Sequence, residues 1–318
     1  MKLILASDNH LRPDVPTCRL ETPDEWKAFQ KARIMEIVEY ANTYGADIVF
    51  GGDIFDVPRV PPEIVSILID ALSPLLGKAY FLAGNHSLPF HRESNVMSSS
   101  IGIIKAIAGD GHGQFVYLEP DEEIIDGRFE HSYRLNDEVT VVHTLAFPTE
   151  DDIPFACDGV TADYLFKKYD TPFILLGDMH RDFVVQDGER FVVNSGCMTI
   201  QSANEIDYAP CVYYIDTGER IDVSVQGDKT PVFRQAKSTV RRLPLTNAPE
   251  MLTIDHLTAR RERDERIAQA IEVLSKEGNR ESLSFLATLI QCLEENGAYK
   301  KVDGLLEELK EEYIESCR

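Results

Sequence analysis

Long apolar runs are missing from this chain of 318 residues. No stretch approaches the roughly 18 apolar residues that a membrane-spanning helix needs. Cysteines are few: Cys18, Cys157, Cys197, Cys211, Cys292 and Cys317 are scattered, with no C-x-x-C spacing. That argues against a zinc ribbon or a disulfide framework and for free thiols in a reducing compartment. Positive charge is also short, with 32 Lys and Arg against 54 Asp and Glu, for a net charge of -22. Such a balance opposes non-specific capture of free nucleic acid or an anionic membrane, while leaving room for a local basic face. There is no repeat and no low-complexity tract. The N-terminus enters a strand at once, without a signal-peptide pattern, so the expectation is a cytoplasmic protein with no membrane partner.

What is present is a series of short apolar runs that stop at polar residues. Lys2–Ser7 reads as a buried strand with Asp8-Asn9-His10 just beyond it. Thr22-Pro23-Asp24-Glu25 fits a capped helix start, and Trp26, the single tryptophan, reads as the core anchor of that helix. Asp47–Phe50 is a strand that ends in Gly51-Gly52-Asp53, where the glycines permit a tight turn. Pro61–Leu76 is helical, and Lys78–Ala83 is a third strand ending in Gly84-Asn85-His86. This alternation predicts a parallel βαβαβ sheet with helices on both faces, whose site lies beyond the carboxyl ends of the strands.

Further along, residues 95–108 read as a helix, Val139–Val142 as a strand ending in His143, and 161–169 as a short helix. Phe173–Leu176 is a buried strand ending in Gly177-Asp178-Met179-His180. Phe191–Val193, Cys211–Ile215 and Ile221–Val225 are expected to continue the sheet antiparallel. The composition then changes, with nine Lys/Arg and five Asp/Glu between Lys229 and Arg266. The reading is an α/β domain over 1–226, a connecting segment over 227–254 and a helical module over 255–318.

Asp8, His10, Asp53, Asn85, His143, Asp178 and His180 all fall at or just past expected strand ends. Carboxylate, amide and imidazole donors without thiolate suit Mn²⁺, Mg²⁺, Fe or Zn²⁺. Singly, each has a plain structural reading as a turn carboxylate or a hydrogen-bonded histidine. His91, His112, His131 and His256 lack motif support and read as surface histidines.

As an ordered set, Asp8-Asn9-His10, Gly52-Asp53-Ile54-Phe55-Asp56, Gly84-Asn85-His86, His143 and Gly177-Asp178-Met179-His180 are similar to the calcineurin-like metallophosphatase family. The match spans about residues 1–216. The run Asp53–Asp56 and the D-x-H-L start look most like the SbcD-type DNA-repair nucleases. The Gly-Asp-x-His variant, the Asn194-Ser195-Gly196 turn and Arg263–Ile267 look like a phage- or prophage-encoded branch. The resemblance implies an α/β layered sandwich of mixed sheets flanked by helices, with a small C-terminal helical module. It also implies two divalent ions, Mn²⁺ foremost, with Asp8, His10 and His180 on one, Asn85, His143 and Asp178 on the other, and Asp53 bridging. His86 would be the leaving-group acid or a positive charge on the phosphate.

Two positions depart from the family pattern. Asp178 stands where most relatives have His, which should harden the site toward Mn²⁺ or Mg²⁺. Ser87 stands where most have an acidic residue that orients the preceding histidine. Ser87 and Asp56 are expected to support the site from behind.

The expected substrate is DNA. Arg241, Arg242, Arg260 and Arg261, with Arg234, Lys237, Arg263 and Arg266, are candidates for tracking a phosphate backbone or meeting a partner. A solvated helix face with internal ion pairs is the plainer reading, since Glu262, Asp264 and Glu265 interleave. In the repair nucleases the region after the catalytic domain meets an SbcC-type ATPase, and the resemblance also makes a homodimer an expectation. Two alternatives stand beside the nuclease: a phosphatase or phosphodiesterase on nucleotides or another small phosphoester, and a non-catalytic subunit of a DNA-recombination complex.

Overall fold

The structure is a computed structural model that describes residues 1–109, 113–125, 128–155, 157–218, 220–223, 232–235, 238–246 and 251–254. These belong to one unit, Met1–Ile254. The helical module expected over 255–318 lies outside the described residues.

The chain opens with β1 (Lys2–Ala6), α1 (Pro23–Tyr44), β2 (Asp47–Phe50), α2 (Pro62–Leu72) and β3 (Ala79–Phe81). It continues through α3 (Ser100–Ala108), β4 (Phe115–Tyr117), β5 (Asp121–Ile125), β6 (Arg128–Arg134) and β7 (Val139–His143). Next come β8 (Ala146–Phe147), β9 (Val160–Thr161), α4 (Ala162–Lys168), β10 (Phe173–Gly177), β11 (Phe183–Asp187) and β12 (Arg190–Asn194). The last described strands are β13 (Cys211–Asp216), β14 (Arg220–Val223), β15 (Val232–Gln235) and β16 (Thr239–Pro244).

Two six-stranded mixed sheets result, in the orders β16-β13-β1-β2-β3-β4 and β11-β12-β10-β7-β6-β5. Strand alternation shows how they stack. Leu3, Leu5, Val49, Cys211, Tyr213 and Ile215 of the first sheet pack with Val139, Val141, Phe173, Leu175 and Val193 of the second. The opposite face of the first sheet (Ile4, Ile48, Phe50, Ala79, Phe81) is covered by Ile34, Ile37, Ile64, Leu68 and Ile104 from α1, α2 and α3. The outer face of the second sheet (Val142, Ile174, Leu176, Val192) meets Ala162 and Leu165 of α4. The architecture is therefore an α/β layered sandwich: helices, sheet, sheet, helix.

This corrects the expectation of helices on both faces of one sheet. β1, β2, β3 and β4 are laid down in one direction without reversal. Right-handed crossovers then place α1, α2 and α3 on the same face, and the second sheet covers the other. The antiparallel expectation for Phe191–Val193 holds on one side only: β12 pairs antiparallel with β11 and parallel with β10. Cys211–Ile215 does lie antiparallel, against β1.

Local signals are obeyed closely. Thr22 caps α1 with a reciprocal capping box: its side chain accepts from the Glu25 N–H, and Glu25 Oε2 accepts from the Thr22 N–H at 2.8 Å. A cap of this kind contributes about 1 kcal/mol. Gly45 ends the helix in the left-handed region, at φ 59°. Trp26 is buried and stacked on Phe29, as its anchoring role requires.

The segment 227–254 is more than a connector. β15 pairs with β14, and β16 is an edge strand of the first sheet, paired with β13. Leu243 and Leu245 join the helix-side core, and the Tyr40 hydroxyl donates to the Pro244 carbonyl at 2.7 Å. Among the described residues no helix is long and apolar enough to cross a membrane. The described cysteines, Cys18, Cys157, Cys197 and Cys211, are all free thiols.

Candidate metal centre

The carboxyl ends of both sheets meet at one place. From the first sheet, β1 delivers Asp8 and His10, β2 delivers Asp53, and β3 delivers Asn85 and His86. From the second, β7 ends on His143, and β10 leads to Asp178 and His180. Backbone bonds beyond the strands hold these segments in register: the Asp8 N–H donates to the Gly52 carbonyl at 3.2 Å, and the His10 N–H to the Asp53 carbonyl at 2.9 Å.

The backbone is strained here. Among the described residues, left-handed φ values outside glycine occur at Asp8 (51°), His10 (45°), Asp53 (46°), Asp178 (99°), Phe90 (58°) and His91 (53°). Four of these six are candidate metal ligands, and the other two follow His86 closely. Such conformations persist where the surroundings over-determine them, which is characteristic of functional sites. Gly52 answers a second constraint: a Cβ there would lie 1.9 Å from His143 Nδ1.

One half of the centre is built on two imidazoles. His10 Nε2 and His180 Nε2 stand 3.1 Å apart. His180 Nδ1 is 2.6 Å from Glu205 Oε1, so Nδ1 carries the proton toward Glu205 and Nε2 turns its lone pair to the cluster. Burial alone would lower the His180 pKa, but the Glu205 hydrogen bond, Asp8 and Asp178 raise it to about 9. Behind His10, Nδ1 faces Asp56 Oδ1 at 3.4 Å, and Arg12 Nη1 holds the other Asp56 oxygen at 3.1 Å. Asp8 lies fully buried and accepts the Asp178 N–H at 2.9 Å. Burial pushes its pKa up to about 6, against the pull of His143, His180 and His10.

The other half is built around His143, which is fully buried. Its Nδ1 is 3.0 Å from the Gly51 carbonyl, an acceptor only, so Nδ1 is the protonated nitrogen. Nε2 then faces three oxygens: Asn85 Oδ1 at 2.9 Å, Asp53 Oδ2 at 3.4 Å and Asp178 Oδ1 at 4.0 Å. A lone pair among oxygen acceptors is repulsive unless a proton or a cation sits between them. Without a cation a proton serves: despite desolvation, Asp53, Asp178 and Asp8 raise His143 to about 10. Burial works to raise the Asp53 pKa, yet His143, His10 and His86 hold it far below the usual carboxylate range. Asp178 is raised by burial.

These donors fit divalent cations. Asp8, His10 and His180 each bring a ligand atom to within 4.8 Å of the others, and so do Asp8, Asp53 and His143. Asp53 Oδ2 is buried without a hydrogen-bond partner in the protein. Its other oxygen accepts the His86 N–H at 2.9 Å, so Oδ2 is the one that faces the cluster, 3.4 Å from His143 Nε2.

His86 is exposed, and its Nδ1 donates to the Asp56 carbonyl at 3.1 Å. Its ring centroid lies 5.0 Å from that of His10. The Asp56 carbonyl therefore orients His86, and Ser87 does not. Ser87 is buried with its hydroxyl turned to the Phe55 carbonyl at 3.5 Å, which corrects the supporting part expected of it. Asp56 lies behind both His10 and His86.

Glu205 escaped the sequence reading. It follows β12 by eleven positions, in a single turn over Ala203–Glu205, and no apolar pattern marks it. Its one signal was a capping box: Ser202 is the N-cap, and Glu205 Oε2 accepts the Ser202 N–H at 3.1 Å. Asn194, of the Asn194-Ser195-Gly196 turn, braces the ligand loop by donating its amide to the carbonyls of Met179 (2.6 Å) and Arg181 (2.8 Å).

The basic candidates fare differently. Arg242 is engaged by Asp182, at 2.8 Å, and by the Ala209 carbonyl, at 2.6 Å, so it steadies the segment after His180. Arg241 is exposed on β16, and Arg260 and Arg261 lie outside the described residues. So do His112 and His256. His131 is corrected from a surface histidine to a fully buried one, 3.0 Å from the Ala83 carbonyl. His91 is exposed, as expected, and its Nδ1 donates to the Asn85 carbonyl at 2.8 Å.

No protein-family model matches the sequence, and neither does any curated protein. Solved structures do match. An archaeal phosphodiesterase is 11% identical with a TM-score of 0.35, covering 76% of this chain and 100% of its own. Zinc-bound Vps29 from Entamoeba histolytica is 9% identical with a TM-score of 0.33, covering 77% and 100%. A predicted phosphoesterase from Streptococcus pneumoniae is 13% identical with a TM-score of 0.32, covering 73% and 97%.

Proposed function

We propose that this chain is a metal-dependent phosphoester hydrolase with a dinuclear centre, acting as a DNA phosphodiesterase of the SbcD type. The observation that supports it most is the convergence at Asp53: a buried carboxylate, held ionised by its imidazole neighbours, with one oxygen that makes no hydrogen bond and faces His143 Nε2 at 3.4 Å, set between an imidazole pair and an oxygen-rich pocket. In this reading Asp8, His10 and His180 hold one ion, Asn85, His143 and Asp178 hold the other, and Asp53 bridges. Mn²⁺ is the expected metal because the second set is rich in oxygen. Two such ions supply an activated water and a clamp for the phosphoryl oxygens.

The chain's own residues do the rest. His86 keeps Nδ1–H on the Asp56 carbonyl, which leaves Nε2 to carry a proton toward the leaving oxygen. The Asp53 carboxylate fixes the His86 backbone at the same time, so the ligand and the acid share one support. Glu205 and Gly51 set the tautomers of His180 and His143.

A small phosphoester is the second reading, and the net charge of -22 favours it, since a polyanionic strand is repelled at long range. Hydrolysis of an oligonucleotide, of bis(p-nitrophenyl) phosphate and of mononucleotides, each with Mn²⁺, separates the two. The nuclease reading expects the oligonucleotide to be cut with the highest kcat/KM. Turnover of mononucleotides alone would replace it with the second reading.

A further inference from the structure

Phe90 sits in an unusual setting. It is an apolar ring with 85% exposure, on a residue whose φ is 58° and ψ 22°. Left-handed backbone is costly for a side chain with a Cβ, and here no burial of the ring offsets it. His91 repeats the conformation, so the cost is incurred twice in succession.

The turn that carries Phe90 is fixed to the site. Leu88 is buried and extended ahead of Pro89, as a residue before proline prefers. The His91 N–H donates to the Leu88 carbonyl at 3.1 Å, and the Leu88 N–H donates to the Asn85 carbonyl at 3.4 Å. That same Asn85 carbonyl accepts from the His91 side chain at 2.8 Å. The backbone of the turn that carries Phe90 is thus tied to Asn85 through a closed network. At roughly 3.5 Å per residue, the Phe90 Cα lies within roughly 14 Å of that of His86, which is inside the span of a nucleotide or two. The exposed Arg92 follows directly.

We infer that Phe90 is a stacking platform for a nucleobase next to the scissile phosphate, and so a specificity-determining residue. The inference rests on the nucleotide-directed reading of the metal centre and names the part of the substrate it engages. Every base offers a π-face, so such a platform tolerates sequence while rejecting base-free phosphoesters. It also offers short-range attraction that the acidic chain does not supply at long range.

The test is equilibrium binding to the full chain, with Ca²⁺ in place of Mn²⁺ to suppress turnover. One labelled single-stranded oligonucleotide carries bases and its partner of equal length is abasic throughout. Wild type should prefer the first, Phe90→Ala should lose roughly 10-fold of that preference, and Phe90→Trp should retain it. Equal binding of both oligonucleotides by wild type, or an unchanged preference in Phe90→Ala, would overturn the inference. A parallel cleavage assay with Mn²⁺ judges the nuclease reading separately, because binding preference does not depend on turnover.

Discussion

The two halves of the centre are supported in different ways. Behind His10 and His180 stand carboxylates, Asp56 at 3.4 Å and Glu205 at 2.6 Å. Behind His143 stands a backbone carbonyl, Gly51 at 3.0 Å, and the groups around it are oxygens. A carboxylate behind an imidazole raises its basicity and fixes its ring, whereas a neutral carbonyl does chiefly the second. The first half should therefore hold its ion more tightly, and the second should be the harder and more exchangeable site. In the proposed assignment Asp53 is the member common to both.

Changes at the centre should separate the halves in a graded way. Asp53→Asn strikes both, so its loss of turnover should exceed the roughly 10–100-fold that a supporting residue gives, and both ions should weaken together. Steady-state kinetics with metal analysis checks this. Glu205→Gln removes support from the first half alone, and affinity for the tighter ion should fall about 10–100-fold while the weaker one is spared. A competition titration against a chelator reads that split.

A pH series probes the second half. With no metal, the folded chain keeps the His143 proton up to about 10, whereas the ordinary value is 6.5. The folded state thus binds more protons across that window, so stability falls as pH rises through it. Asp8, raised to about 6 from 3.8, acts in the same direction at lower pH. The melting midpoint of chelator-treated protein should decline from pH 6.5 to 10, and Mn²⁺ should flatten the slope by taking the proton's place. The smallest effect belongs to Ser87→Ala. Its hydroxyl is turned away from His86, so kcat should change less than about twofold, within what loss of one long hydrogen bond produces.

The contrast between the halves also shows what a sequence can display. Asp8, Asp53, Asn85, His143 and Asp178 were legible because each lies at or just past the end of an apolar strand, and strand ends in such sheets gather at one edge. Glu205 was illegible because it reaches the site from a polar loop, through a tertiary hydrogen bond to His180. The orienting partner of His86 was illegible for a related reason: a backbone carbonyl, that of Asp56, has no residue signature. In the fold, strand and helix positions were readable from periodicity. The division into two sheets was not, because Leu3 and Ile4 look alike in sequence while facing different layers. β16 was hidden by its composition, since Arg241 and Arg242 make an edge strand resemble a linker.

One bridging carboxylate should unite two unequal metal subsites. Calorimetric titration of the metal-free full chain with Mn²⁺ tests it most directly. Two ions per chain should bind in two resolved steps, the tighter one weakened selectively by Glu205→Gln. A single ion per chain, or two whose affinities respond equally to that substitution, would contradict it.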